Sequence, residues 1–440
     1  MKRILSVLFA LAFILSACAP AVTQAPAPAA SEAPAATVAP AATVAPAEKV
    51  VIRGLFMKQA GYQESDIEGI TAEFEQNNPN IDVQTEYVSY EALHDKIVTS
   101  SAAKSGAYDV VLVDCIWPAE FAQAGFVLDV TDKVTEAQRK DIWPGALEAA
   151  TYKGRLYGMP WLNDVLYLYY NEEMLKAAGF ENPPKTWTEL QQMGQAAVDK
   201  GLVKYPFIEY FKQEEGLTIA YAYYLPAFGG KFFDENNKPA FNSPEGLAAL
   251  KFMVDGMNNG MYNPASLEST YEEVRRTFSQ GEALFSVNWT YQLNLANDPA
   301  ESKIPGKARL AVMPGEVAAS ATVNGGMALS ITSDSKHPEE AWKYINYLSS
   351  PEVQKRYAKN ALPIWISTFS DPEIVALQPE LLEISAEQYM YIINRPLVPF
   401  YSETSKIMSR ELQAALTGGK TPEQALEDAE AEVLKIAEQY

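Results

Sequence analysis

From residue 49 onward, short apolar runs alternate with stretches in which apolar residues return every three or four positions. Residues 50 to 57 (VVIRGLFM) read as a strand, and Ile67, Ile70 and Phe74 then recur at helical spacing until Asn78-Pro79 stops the helix. Ile81, Val83, Thr85 and Tyr87 alternate as a second strand. Ser89 is placed to cap a helix reaching about Lys104, and residues 109 to 114 (DVVLVD) form the continuous apolar run of a buried parallel strand. The order β-α-β-α-β predicts a doubly wound sheet, in which ligands bind beyond the carboxyl ends of the strands. Asp114 lies at such an end.

The same alternation continues. Val165 to Tyr170 reads as a strand, and Thr186-Trp187-Thr188-Glu189 is a capping box opening a helix to about Lys200. Ser243-Pro244 opens another, with Leu247, Leu250 and Val254 on one face. Ala283, Phe285, Val287 and Trp289 share one strand face, so Trp289 emerges near a strand end. Ala341, Tyr344, Ile345 and Leu348 mark a further helix, Ser350-Pro351 starts the next, and the remainder reads as mostly helical.

The amino terminus follows a different pattern. Lys2 and Arg3 precede an apolar run from Ile4 to Leu15, suited to an export signal and too short to span a bilayer as a helix. Leu15-Ser16-Ala17-Cys18 resembles the lipobox at which bacterial lipoproteins are cleaved and acylated; the alternative is an ordinary secretory signal with an incidental cysteine. Residues 18 to 48 are almost entirely Ala, Pro, Thr and Val, with near-copies of AATVAP, a composition that buries no core. The expectation is a signal peptide over 1 to 17, a semi-stiff tether over 18 to 48, and attachment to the outer side of the cell membrane through lipid on Cys18.

About 390 residues follow the tether, too many for one hydrophobic core, so two lobes are expected. A formal net charge of −21 argues against a nucleic-acid partner. With Cys18 assigned to lipid, Cys115 is alone and no internal disulfide can form. Two distant histidines and no metal-loop pattern argue against a metal site, and no cofactor is expected. Gly418-Gly419-Lys420-Thr421 looks like the end of a phosphate loop, but Ala414 stands where the earlier glycine is required. The neighbouring carboxylates Glu214 and Glu215 could serve a glycosidase, yet among 56 acidic residues adjacency by chance is the stronger reading. A monomer that is not an enzyme is expected.

Four stretches carry a family resemblance: YDVVLVDCIWPAEFAQAGFVLDVTD (108 to 132), LYGMPWLNDVLYLYYNEEMLKAAGFENPPKTWTEL (156 to 190), FSQGEALFSVNWTYQ (278 to 292) and NGGMALSITSDSKHPEEAWKYINYLSSPEVQKRY (324 to 357). In this order they resemble family 1 of the extracellular solute-binding proteins, the maltose-binding-protein-like, sugar-binding subunits of ATP-driven (ABC) importers. The resemblance implies an α/β, two-lobed periplasmic-binding-protein-like fold of type II, each lobe a mainly parallel sheet flanked by helices, with the ligand cleft between lobes. It places one lobe at 49 to 161 plus 325 to 362 and the other at 162 to 324 plus 363 to 440. It implies a carbohydrate ligand and ABC permease subunits as partners.

By position within these stretches, Asp114 and Trp117 match the family's loop in which an acid grips sugar hydroxyls beside a stacking aromatic. A pyranose offers an apolar face to such a ring and hydroxyls to carboxylates and amides. Asn163, Asp164 and Tyr167 match the segment past the first crossing, although Tyr167 or Tyr169 could equally point into the lobe. Trp289 matches the aromatic floor of the site. Gly325-Gly326-Met327 matches a glycine turn that lets backbone approach ligand or hinge closely, with Met327 standing where relatives often carry Trp. Gln59 and Tyr62 in the loop to Gln63, and Glu215, Tyr223, Trp365, Arg395 and Tyr401, are cleft candidates by location. The alternatives are a lipoprotein glycoside hydrolase, a structural lipoprotein, or a binding protein for a non-sugar solute such as a polyol phosphate, for which Lys58 and Arg395 are the obvious cationic partners.

Overall fold

The apolar run at Val110–Asp114 forms the middle of a five-stranded sheet, and its valines and leucine are at most 2% exposed because helices cover both faces. The computed structural model describes residues 49–58, 61–358 and 361–440, so Cys18 and Gln59 lie outside the described residues. Val50–Met57 pairs in parallel with Ile81–Val88 on one side and with Val110–Asp114 on the other. Beyond them Met327–Ile331 runs antiparallel, followed by Met159–Leu162, so that four of the five strands share one direction.

A second sheet has the order Ala308–Ala311, Tyr167–Asn171, Phe285–Asn288, Phe207–Ile208. Only Tyr167–Asn171 opposes the others: it is antiparallel to both neighbours, while Phe207–Ile208 and Phe285–Asn288 are parallel. The chain passes from the first sheet to the second after Leu162 and returns before Met327. Thr322–Val323 there pairs in parallel with Ile392–Ile393, and Val165 bridges Asn324. Val165 therefore belongs to a crossing, and the strand expected from Val165 to Tyr170 is displaced to Tyr167–Asn171.

The caps fall where the side chains direct them. Ser89 Oγ accepts from Ala92 N and Thr186 Oγ1 from Glu189 N, opening helices Tyr90–Ala102 and Trp187–Asp199. Helix Pro244–Asn258 turns differently from expectation: Gly246, Ala249, Leu250, Met253 and Gly256 are buried, and Leu247 and Val254 sit at the margin. The cause is close packing, since a Cβ on Gly246 would lie 1.8 Å from the Phe241 carbonyl oxygen. Among the described residues no helix is long and apolar enough to cross a membrane.

Candidate functional site

Charged groups meet at the carboxyl end of Val110–Asp114, the kind of strand end beyond which open α/β sheets bind ligands. Asp114 ends its strand with Oδ1 accepting from Ile116 N at 3.2 Å and from the Cys115 thiol at 3.3 Å. Arg395, two residues past Ile392–Ile393, donates through Nη2 to Asp114 Oδ1 at 3.0 Å and through Nη1 to Glu215 Oε1 at 2.8 Å. Nη2 also meets the Asn324 carbonyl at 3.3 Å and Cys115 Sγ at 3.0 Å. Glu215, the first residue of helix Glu215–Ala227, accepts further bonds from Tyr401 at 3.0 Å and from Ser405. The Arg395 side chain is 1% exposed, with Asp114 at 8% and Glu215 at 13%. Burial pushes the Glu215 carboxyl up, opposed by the Arg395 charge and the Ser405 bond.

Aromatic rings flank this ion cluster. On one side Tyr90 stacks on Trp117 with centroids 5.4 Å apart, and Trp117 also packs on His94 and Phe121. On the other, Tyr271 lies between Tyr210 at 4.3 Å and Trp289 at 5.8 Å. The Trp289 indole rests on the glycine turn so closely that a Cβ on Gly325 would sit 2.2 Å from its ring.

Several buried polar atoms here have no hydrogen-bond partner among the described residues: the hydroxyls of Tyr90, Tyr210 and Tyr271, Arg395 Nε, and Glu209 Oε2 just beyond Phe207–Ile208. Each unsatisfied group costs about 1–3 kcal/mol, so a concentration of them in one place marks a surface suited to a polar molecule. Burial raises the phenol pKa of Tyr90 and of Tyr271, and both rings also sense the charges of Asp114, Glu215 and Arg395. Burial likewise pushes Glu209 up to about 8, although Tyr223 donates to its Oε1 at 2.5 Å.

Of the residues expected from sequence, Asp114, Trp117, Glu215, Trp289, Arg395 and Tyr401 are brought together in this way. Gly326 and Met327 adjoin them: Gly326 N donates to Asn324 Oδ1 at 2.9 Å, and Met327 pairs with Asp114 in the first sheet. Asn163 and Asp164 tie the crossing instead. Asn163 Nδ2 reaches the Pro363 carbonyl at 3.4 Å, while Asp164 Oδ1 accepts from Val165 N, Thr290 N and the Thr290 hydroxyl. Burial pushes Asp164 up to about 7 against those bonds.

Four others lie inside the lobes. Tyr62 stacks on Trp161 at 4.6 Å, Tyr167 bonds Ser385 at 2.6 Å, Tyr223 bonds Glu209, and Trp365 Nε1 donates to the Ser349 carbonyl at 2.8 Å. Sequence reasoning missed Tyr90, Tyr210 and Tyr271. A signal existed for two of them, since Tyr90 and Tyr271 each take the first helical position after a capping Ser or Thr.

Two mixed sheets flanked by helices, each with all strands but one in a common direction, joined by chain crossings with a polar, aromatic-walled seam between them, define a two-lobed solute-binding protein. The chain belongs to the bacterial extracellular solute-binding protein family, whose model matches residues 59–355. It is thus an extracellular solute-binding protein of ABC transporters, and the proteins it resembles are binding proteins rather than enzymes. A probable ABC transporter-binding protein of Deinococcus radiodurans is 30% identical over 347 residues, covering 76% of this chain and 81% of its own. Among solved structures, the maltose-bound MalE3 of T. maritima is 32% identical with a TM-score of 0.82, covering 88% of this chain and 100% of its own. A solute-binding protein from Thermotoga lettingae, bound with α-D-tagatose, is 28% identical with a TM-score of 0.81 over 88% of this chain and 100% of its own.

Proposed function

We propose that the protein captures a carbohydrate between its lobes and hands it to the permease subunits of an ABC importer, while lipid on Cys18 and the 18 to 48 tether hold it at the membrane. The unpartnered hydroxyls of Tyr90, Tyr210 and Tyr271, set between two aromatic walls around Arg395, carry this reading. A sugar ring packs its apolar face on Trp117 or Trp289 and offers hydroxyls that both donate and accept, which matches phenols and a guanidinium N–H left over. Of the similar structures, MalE3 is bound with maltose and the Thermotoga lettingae protein with α-D-tagatose, which supports a ligand of this kind.

In this reading an open form takes the solute on one lobe, the other closes over it, and the permease reads the closed form. The division into 49 to 161 plus 325 to 362 and 162 to 324 plus 363 to 440 is part of the proposal. Glu214 and Glu215 do not act as a hydrolytic pair, because Glu215 enters the ion cluster while Glu214 faces Lys212 at 3.2 Å. The test is calorimetric titration and thermal unfolding across mono- and oligosaccharides, with small-angle scattering on any that bind. Binding raises the melting temperature and contracts the radius of gyration. No response across the panel refutes the carbohydrate assignment.

A further inference from the structure

Arg395 is the cation at the seam, and its use is already committed. Both of its terminal nitrogens are held by carboxylates of the same chain, Asp114 at 3.0 Å and Glu215 at 2.8 Å, and Nε is the guanidinium nitrogen that has no partner among the described residues. If Glu215 is ionised, two negative charges face one positive; if it carries a proton, the cluster is neutral. In neither state does the site hold an excess positive charge. The other cation named for the cleft does not supply one: Lys58 is exposed and lies 3.8 Å from Glu64; Lys212, next to Glu214 and Glu215 in the chain, faces Glu214 at 3.2 Å. Arg275, buried in the lobe that carries Trp289, is paired with Glu272 at 3.1 Å and Glu301 at 3.5 Å. Beyond the site the whole chain carries a formal net charge of −21, which repels an approaching anion.

We infer that the seam excludes anionic solutes, phosphorylated or carboxylated sugars included, and that Asp114 and Glu215 set this selectivity by consuming the charge of Arg395. Phosphate and carboxylate recognition relies on an arginine fork free to make two parallel bonds, and this fork is occupied on both arms. A neutral hydroxyl needs only the single Nε–H and the phenols. An anion would have to displace a buried carboxylate from Arg395 and leave it unpaired, or sit beside it unneutralised. The inference rests on the carbohydrate reading and narrows it, removing the polyol phosphates that the sequence left open.

The test uses matched pairs differing in one charge: maltose with maltobionate, D-glucose with D-glucuronate, and D-tagatose with its 6-phosphate, titrated against the intact protein at pH 7.5. For any pair in which a member binds, the neutral sugar is expected to bind at least tenfold more tightly. The Asp114→Asn plus Glu215→Gln variant, which frees the guanidinium, should close most of that gap. An anionic member binding as tightly as its neutral partner overturns the inference and leaves the carbohydrate reading standing. Silence from every pair refutes the carbohydrate reading and this inference with it. The unmodified protein alone decides the selectivity; the variant assigns it to the two carboxylates.

Discussion

Replacing Arg395 with Met keeps the length of the side chain and removes the charge that two buried carboxylates share. The loss has two parts. The charge-assisted bonds to Asp114 and Glu215 disappear, and each carboxylate keeps its desolvation cost without its partner. Breaking a buried pair in this way costs roughly 3–5 kcal/mol. The pH dependence follows from Glu215, which burial pushes up and Arg395 holds down. Without Arg395 its folded-state pKa rises further above the unfolded value. A carboxyl raised on folding gives stability that is fully present below its unfolded pKa and is lost as pH rises through its folded pKa. The deficit of the variant should therefore be small near pH 5 and grow toward pH 8. Urea midpoints of variant and parent at pH 5, 6, 7 and 8 measure it, and the radius of gyration tells whether the lobes part before the chain unfolds. A deficit under about 1 kcal/mol and flat across that range would refute the assignment of Arg395 as the charge joining the lobes. The triple change Asp114→Asn, Glu215→Gln, Arg395→Met should recover most of the stability, because no buried charge is then left alone.

Three further outcomes are expected. Glu209, fully buried and pushed up to about 8, makes stability fall as pH rises from about 4.5 to 8, at roughly 1.4 kcal/mol per pH unit. Glu209→Gln removes that slope, and parallel urea titrations of both proteins would show it. Gly325→Ala puts a methyl 2.2 Å from the Trp289 indole, so the ring or the turn must shift; a cost of roughly 1–3 kcal/mol and weaker sugar binding are expected by thermal unfolding and calorimetry. Cys18→Ser should move the protein from the membrane fraction to the soluble one on cell fractionation; retention in the membrane fraction would remove the lipid anchor from the proposal.

The fold was legible where local periodicity decides it, and the site only where an element's end decides it. The run DVVLVD announces a strand covered on both faces, and Asp114 at its carboxyl end follows from that run alone. Trp289 follows in the same way from the alternation ending at Asn288. Alternation could not say where Tyr167 reaches, because both faces of a buried strand read as apolar: Tyr167 bonds Ser385, while Tyr169, two residues on, donates to the Trp289 carbonyl at 2.9 Å. Arg395 was named only by location. Its partners lie 281 and 180 residues away, and no period in a sequence records a pairing across such separations. The phenols were hidden for another reason. A capping Ser or Thr places Tyr90 and Tyr271 at helix starts, but among 24 tyrosines it does not tell whether a hydroxyl is satisfied, as that of Tyr224 is by Tyr262 at 2.7 Å, or is left without a partner. That distinction arises only after the backbone has spent its own donors and acceptors. The chemistry of capture therefore resides in what folding leaves unpaired, which is a property of the packed chain and of no segment within it.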